Sequence, residues 1–315
     1  LRDISKAKIR EFIVTAKMKR GLPLAQNTPV EKFLSHFHLL SSDGTPLNSA
    51  ILLFGRDPQA RFLASQVKCV QWPTPERCKP IKDHRIVQGT LFEMADAAVS
   101  FVLDKLEKWI GPRSIGTGAA APTGFDIPYE VVKEAIVNGI AHRDYTSTGS
   151  VQVELFPDKL LVMSPGRPHP AVDIVHLDKS HPSNPVNPLI ADALYQTGHI
   201  ERLGTGLEDL FKTCRREGLP KPEVEVRGGT FYITIFRKAR KVSPSSEMTN
   251  DAINDAINDA INDAIKIRPG VKKVELVKII GKSKPTIERA IALLKQQGRI
   301  EYRGSKKTGG YYAKG

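Results

Sequence analysis

Hydrophobic positions along the chain switch between a spacing of three to four, which predicts helices, and a spacing of two, which predicts strands. Near the start, "KAKIREFIVTAKMKRG" repeats apolar residues at helical spacing and stops at Gly21. "NSAILLFG" is an apolar run ended by Gly55, and "SQVKCVQW" reads as a strand. "TLFEMADAAVSFVLDKLEKWIG" predicts a long amphipathic helix closed by Gly111. Residues 1–112 therefore read as an N-terminal mixed α/β domain.

Residues 113–240 predict a second module. After the Gly/Ala loop "GPRSIGTGAAAPTG" come a helix over 128–142, the strand "VQVELF", the turn "PDK" and the strand "LLVMS". A Pro/Asn/His-rich stretch leads to a short helix at "PLIADALYQTG", then to "IERLGTGLEDLFKTCRREG". Two strands follow in "EVEVRGGTFYITIF", with Gly228-Gly229 as a hairpin signal. The expected fold class is α+β, multi-domain, with an antiparallel sheet in this module.

Residues 241–265 predict a polar linker and then four copies of "NDAI" at 250–265. A helix there places Ile253, Ile257, Ile261 and Ile265 on one slowly drifting stripe. Because a period of 4.0 exceeds 3.6, any supercoil would be right-handed. The tract reads as a length-tolerant connecting helix, with self-association into a homo-oligomer as the alternative.

The helix "KEAIVNGIAHRDY" carries a second pattern. Glu134, Asn138 and His142 recur at four-residue steps, so a carboxylate, an amide and an imidazole share one stripe. Val132, Ile136 and Ile140 repeat on the opposite side, suited to a core.

Charge changes the picture at the C-terminus. The chain carries a net +13, and residues 266–315 hold fourteen Lys/Arg against three Glu, a net +11. The remaining 265 residues contribute only +2, so the basic block asks for a polyanionic partner. Its pattern predicts "KKVELVKII" as a short helix ended by Gly281. A second helix follows, with Ser283 as N-cap, Pro285 in its first turn and Gly298 at its end. Ile287, Ala290, Ile291 and Leu294 form its buried face, leaving Lys284, Thr286 and Arg289 exposed near its N-terminus. With Lys282 beside them and Lys306 and Lys307 at the tip of a following hairpin, residues 266–315 read as a winged helix-turn-helix that binds duplex DNA. A basic protein-docking domain is the other reading.

Cys69, Cys78 and Cys214 form no CxxC pair and are odd in number, which favours a reduced, cytoplasmic setting. No run approaches the roughly 18–20 apolar residues of a membrane span, and the charged start does not resemble a signal peptide. The absence of Met at position 1 is expected of a chain with a further domain upstream.

The block from "IPYEVVKEAIVNGIAHRDY" through "MSPGRP", "NPLIADAL" and "GHIERLGTGLEDLFKTCRREGLPKPEVE" resembles bacterial transcriptional regulators often labelled RecG-related ATP-dependent DNA helicases. Those proteins typically join a Schlafen-like AlbA domain, this module and a winged helix. The resemblance implies a cytoplasmic DNA-binding transcriptional regulator with a ligand- or nucleotide-sensing module. An ATP-dependent enzyme of DNA metabolism is the alternative. The chain holds no GxxxxGK[ST] P-loop of the kind a motor helicase uses.

The same module is more remotely similar to the GHKL ATPases, which implies a GHKL-like α/β sandwich binding ATP and Mg²⁺. That likeness would make Glu134 the base that activates a water and Asn138 a Mg²⁺ ligand. It would place His142, Asp144, Gly166, Gly204, Thr205 and Gly206 around the nucleotide, with "GTGL" at 204–207 as a glycine box at a helix start. Where those ATPases carry the Asp of a DxGxG box, this chain reads "MSPGRP", with Ser164 and Gly166. The alternative is that Glu134, Asn138 and His142–Asp144 form a polar network that fixes the fold.

Other patterns rank lower. "HRD" lacks the Asn of a kinase catalytic loop, since Gly149 stands there. His169, His176 and His181 share a loop without the close pairing of zinc ligands. Cys214, on an apolar helix, reads as packing.

Overall fold

The computed structural model describes residues 1–110, 123–168, 184–201, 205–238, 250–281, 283–305 and 309–313. The chain divides into two compact units, Leu1–Ala239 and Arg240–Gly315.

The first unit opens with α1 (Lys6–Arg20), α2 (Val30–His36) and α3 (Asn48–Phe54). Gly21 ends α1 in the left-handed region at φ 69°, and its N–H returns to Ala16 and Lys17. Strands β1 (Val67–Gln71) and β2 (Asp83–Val87) follow, then α4 (Leu91–Leu103). A capping box between Thr90 and Glu93 starts α4. The long helix expected up to Gly111 stops at Leu103. Residues Lys108–Ile110 form β3 instead, paired with β4 (Thr123–Phe125). A partner strand outside the helical stretch takes up those backbone groups, which local periodicity does not reveal.

Helix α5 (Tyr129–Ala141), β5 (Val151–Leu155), β6 (Lys159–Pro165), α6 (Pro188–Gln196), α7 (Gly206–Arg216), β7 (Glu223–Arg227) and β8 (Thr230–Phe236) complete the unit. The β7–β8 turn falls on Gly228 and Gly229, both with positive φ, as the hairpin signal requires.

These strands form one six-stranded sheet in the order β2-β1-β5-β6-β8-β7. All pairings are antiparallel except β1 with β5, which is parallel from Val67↔Val151 to Gln71↔Leu155. That pairing corrects two expectations. The sheet is mixed, and the boundary drawn at 112/113 falls inside a single unit, because strands from both sides of it share the sheet. Register aligns Val67, Val151, Val153, Val162 and Ile233 in buried rows, against which α4 and α5 pack, whereas Lys68 and Gln152 point outward and are exposed. The fold is α+β. Cys69 and Cys214 lie in this core, where burial pushes their thiols up to about 12 and about 11.

The second unit contains α8 (Asn250–Ile267), α9 (Lys273–Ile280), α10 (Lys284–Gln296) and the hairpin β9 (Ile300–Arg303) and β10 (Gly310–Ala313). Its core joins Ile261 and Ile265 of α8 to Val271, Leu276, Ile287, Ile291, Leu294 and Ile300. Gly281 turns the chain between α9 and α10 at φ 66°. No described helix is long and apolar enough to cross a membrane.

Candidate functional site

Helix α5 is built to have two different sides. Pro128 stands at its N-cap, and Val131, Val132, Ala135, Ile136, Val137 and Ile140 are buried. The polar stripe is only partly buried, and its neighbour is α7.

Asn138 Nδ2 donates to Glu134 Oε1 at 2.7 Å. The carboxylate also lies against the first residue of α7. A Cβ added at Gly206 would stand 1.8 Å from Glu134 Oε1 and 2.7 Å from its Cδ, so any larger residue there would have to displace the carboxylate. Burial pushes the Glu134 carboxyl above its ordinary range. The Asn138 hydrogen bond and the Lys133 charge oppose that shift, while Asp209 and Glu201 add to it. Lys133 itself donates to the Gly198 carbonyl at 2.7 Å, just past the end of α6.

A second cluster gathers at the other end of α5. His142 is the C-cap, and the Asp144 N–H donates to the Pro165 carbonyl at 2.7 Å. Gly166 has φ 133°, and a Cβ there would meet the Asp144 nitrogen at 3.1 Å and the His142 oxygen at 3.3 Å. The Asp144 carboxylate accepts from the Thr146 hydroxyl and N–H, which hold its pKa below the ordinary range. Ser164 donates its hydroxyl to the Gly139 carbonyl at 2.6 Å and is buried.

The predicted residues thus fall into two groups along α5: Glu134 and Asn138 with Gly206, and His142 and Asp144 with Gly166. Thr205 is the N-cap of α7, and its carbonyl accepts from Asp209 N–H at 2.7 Å. Gly204 lies outside the described residues, as do Lys282, Lys306, Lys307, His169, His176, His181 and the Gly/Ala loop at 111–122.

Two residues were not singled out from the sequence, although Arg143 falls inside the His142–Asp144 span read as a polar network. Arg143 is 2% exposed, and its Nη2 donates to the carbonyls of Ala64, Ser147 and Gly149 at 3.3, 2.9 and 2.7 Å. Asn187 precedes α6 without capping it; its Nδ2 instead donates to the carbonyls of Ala141 and Arg143, both at 2.9 Å. Those are carbonyls at the end of α5 that no helical N–H reaches. The signal for Arg143 was its place between two named residues; Asn187 lay in a Pro/Asn/His-rich stretch that gave no signal.

In the second unit, Lys284 and Arg289 are exposed on α10. Thr286 is half-buried, with its hydroxyl 2.9 Å from that of Ser283. Ser283 occupies the N-cap position but makes no side-chain cap bond. Ile287, Ala290, Ile291 and Leu294 are buried, as their spacing predicted.

Residues 149–235 match the family model described as "Putative ATP-dependent DNA helicase recG C-terminal". The match spans β5 to β8 and includes Gly166, Thr205 and Gly206; α5 lies just upstream of it. Among solved structures, the chain is similar to the DIP2311 protein from Corynebacterium diphtheriae, with a TM-score of 0.59 and 17% identity. At that identity the likeness is one of fold. It covers 99% of this chain, which spans 62% of the length of that one. No curated protein matches the chain.

ATP with Mg²⁺ requires oxygen ligands for the metal, backbone N–H groups near phosphate and a polar partner for adenine. The Asn138 amide nitrogen is engaged by Glu134, which leaves its oxygen as the atom suited to a hard cation. The glycine start of α7 permits close approach of a ligand or side chain to backbone. These features fit the phosphate–metal half. At the position the GHKL likeness gives to the adenine-binding carboxylate, Ser164 donates to Gly139 and supplies no carboxylate, while nearby Asp144 accepts from Thr146 through Oδ1 alone.

Proposed function

We propose that the protein is a DNA-binding regulator whose α/β unit binds a phosphate-bearing nucleotide and whose C-terminal unit binds duplex DNA. The observation that carries the nucleotide reading is the Glu134–Asn138 pair set against the glycine start of α7, beside the residues that match the RecG C-terminal family model. In this reading the Asn138 oxygen of a GHKL-like sandwich would hold Mg²⁺, and Thr205 and Gly206 would lie near the phosphate. Bound Mg²⁺ would neutralise phosphate charge that Glu134, Glu201 and Asp209 would otherwise repel. His142, Asp144 and Gly166 shape the opposite wall. The raised pKa of Glu134 suits a base poised nearer neutral pH than an ordinary carboxylate.

In the C-terminal unit we read α9 and α10 as a helix-turn-helix and β9–β10 as a wing. Support comes from the net +11 of residues 266–315 and the exposure of Lys284 and Arg289 near the start of α10. Lys282, Lys306 and Lys307 would add phosphate contacts.

The second reading, favoured by the family-model match, is an ATPase acting in DNA metabolism. Steady-state ATP turnover by the full chain separates the two. Turnover abolished by Glu134→Gln supports the enzyme; turnover absent, or unchanged by that substitution, with nucleotide binding retained supports the regulator.

A further inference from the structure

The NDAI tract takes no part in either site, and its repetition has a structural consequence. On α8, Asn258, Ile261, Asn262 and Ile265 are all buried, while Ala260 and Asp263 are exposed. The buried four lie at i, i+3, i+4 and i+7, one continuous stripe two turns long. Facing it, the buried stripe of α10 runs from Ile287 to Leu294 and is also two turns long. The two copies nearest Lys266 therefore match the apolar length of their partner.

The register of this stripe is fixed from its C-terminal end. Arg268 N–H donates to the Ala264 carbonyl at 3.0 Å, and Gly270 N–H to the Tyr311 carbonyl at 2.8 Å. Tyr311 N–H returns to Val271 at 3.0 Å. A Cβ on Gly310 would stand 2.0 Å from the Gly270 oxygen, so the junction admits no slack. Because all four copies are identical, whichever two precede Lys266 present the same side chains to the core.

We propose that the tract is a length-adjustable spacer, in which the two copies nearest Lys266 fold into the C-terminal unit and the copies upstream only set its tether. Each upstream copy advances the helix by about 6 Å and turns it by about 40°. A change of one copy therefore alters the length of α8 upstream of the core, without touching the core itself. Any gain of whole copies, or the loss of up to two, keeps this property, so the tether adjusts in fixed steps.

The test uses full chains with six, three, two and one copies, and reads hydrogen-exchange protection at Leu276, Ile291 and Leu294. Protection is expected to be unchanged with six, three or two copies and to fall at least tenfold with one. A fall already at three copies would overturn the proposal, because upstream copies would then belong to the fold. Full protection with one copy would overturn it too, because the Asn258–Ile261 turn would then be dispensable. A second pair of variants avoids dependence on the shortest chain. Inserting Asp-Ala between Ile257 and Asn258 should leave protection intact, whereas the same insertion between Ile261 and Asn262 should lower it at least tenfold. Equal loss from both insertions contradicts the spacer.

Discussion

The Glu134 carboxylate lies against the backbone of Gly206, so closely that a methyl group at 206 would stand 1.8 Å from Oε1. The same oxygen accepts from Asn138 at 2.7 Å. Three residues that the chain separates by as many as 72 positions are thereby joined, and the joint ties α5 to the start of α7.

Gly206→Ala should force the carboxylate off Asn138. Overpacking of this kind costs about 1–3 kcal/mol, less whatever alanine gains in helix propensity. Denaturant unfolding of Gly206→Ala in the wild-type and Glu134→Ala backgrounds checks it. The substitution should cost at least about 0.5 kcal/mol less when Glu134 is already gone. Additive effects would show that the two residues do not touch.

The pH dependence of stability follows from the direction of the Glu134 shift. A carboxyl whose pKa is raised by folding binds its proton more tightly folded than unfolded. Its contribution is therefore most favourable below the ordinary carboxylate value and is lost as pH rises through the raised one. Glu134→Gln removes that loss. Thermal unfolding should show the variant gaining on wild type as pH rises from 4 to 8. A difference in Tm that does not vary with pH would place Glu134 in water.

DNA binding should be salt-dependent through counterion release, with log affinity falling at about −0.9 per phosphate contacted. In the full chain, Lys306→Ala with Lys307→Ala should weaken all sequences alike and flatten that slope. Arg289→Ala or Lys284→Ala should erode preference for a selected site by about 1–3 kcal/mol. Filter binding or fluorescence anisotropy across a salt series reads both effects. A flat salt dependence would move the partner away from nucleic acid.

Much of the local structure was legible because it is written locally. The buried face of α10, the positive-φ turns at Gly228-Gly229 and Gly281, and the two-sided α5 all follow from spacing within one element. The parallel pairing of Val67–Gln71 with Val151–Leu155 was not legible, since it joins strands more than eighty residues apart and leaves no mark on either pattern. That missing contact is why a domain boundary was drawn through the sheet. The same limit applied to the site. Glu134 and Gly206 each stood out, but their contact depends on α7 packing on α5. Arg143 fell inside the span read as a polar network but was not singled out, because a buried arginine serving three carbonyls looks, in sequence, like any surface charge.

Glu134, Asn138 and the start of α7 are proposed to receive a nucleotide with Mg²⁺. Equilibrium binding of ATP by the full chain, wild type beside Asn138→Ala, with and without Mg²⁺, tests it most directly. Saturable, Mg²⁺-dependent binding by the wild type, weakened at least tenfold by Asn138→Ala with the circular dichroism spectrum unchanged, is the expected result. No binding by the wild type at millimolar ATP, or equal binding by both proteins, would contradict it.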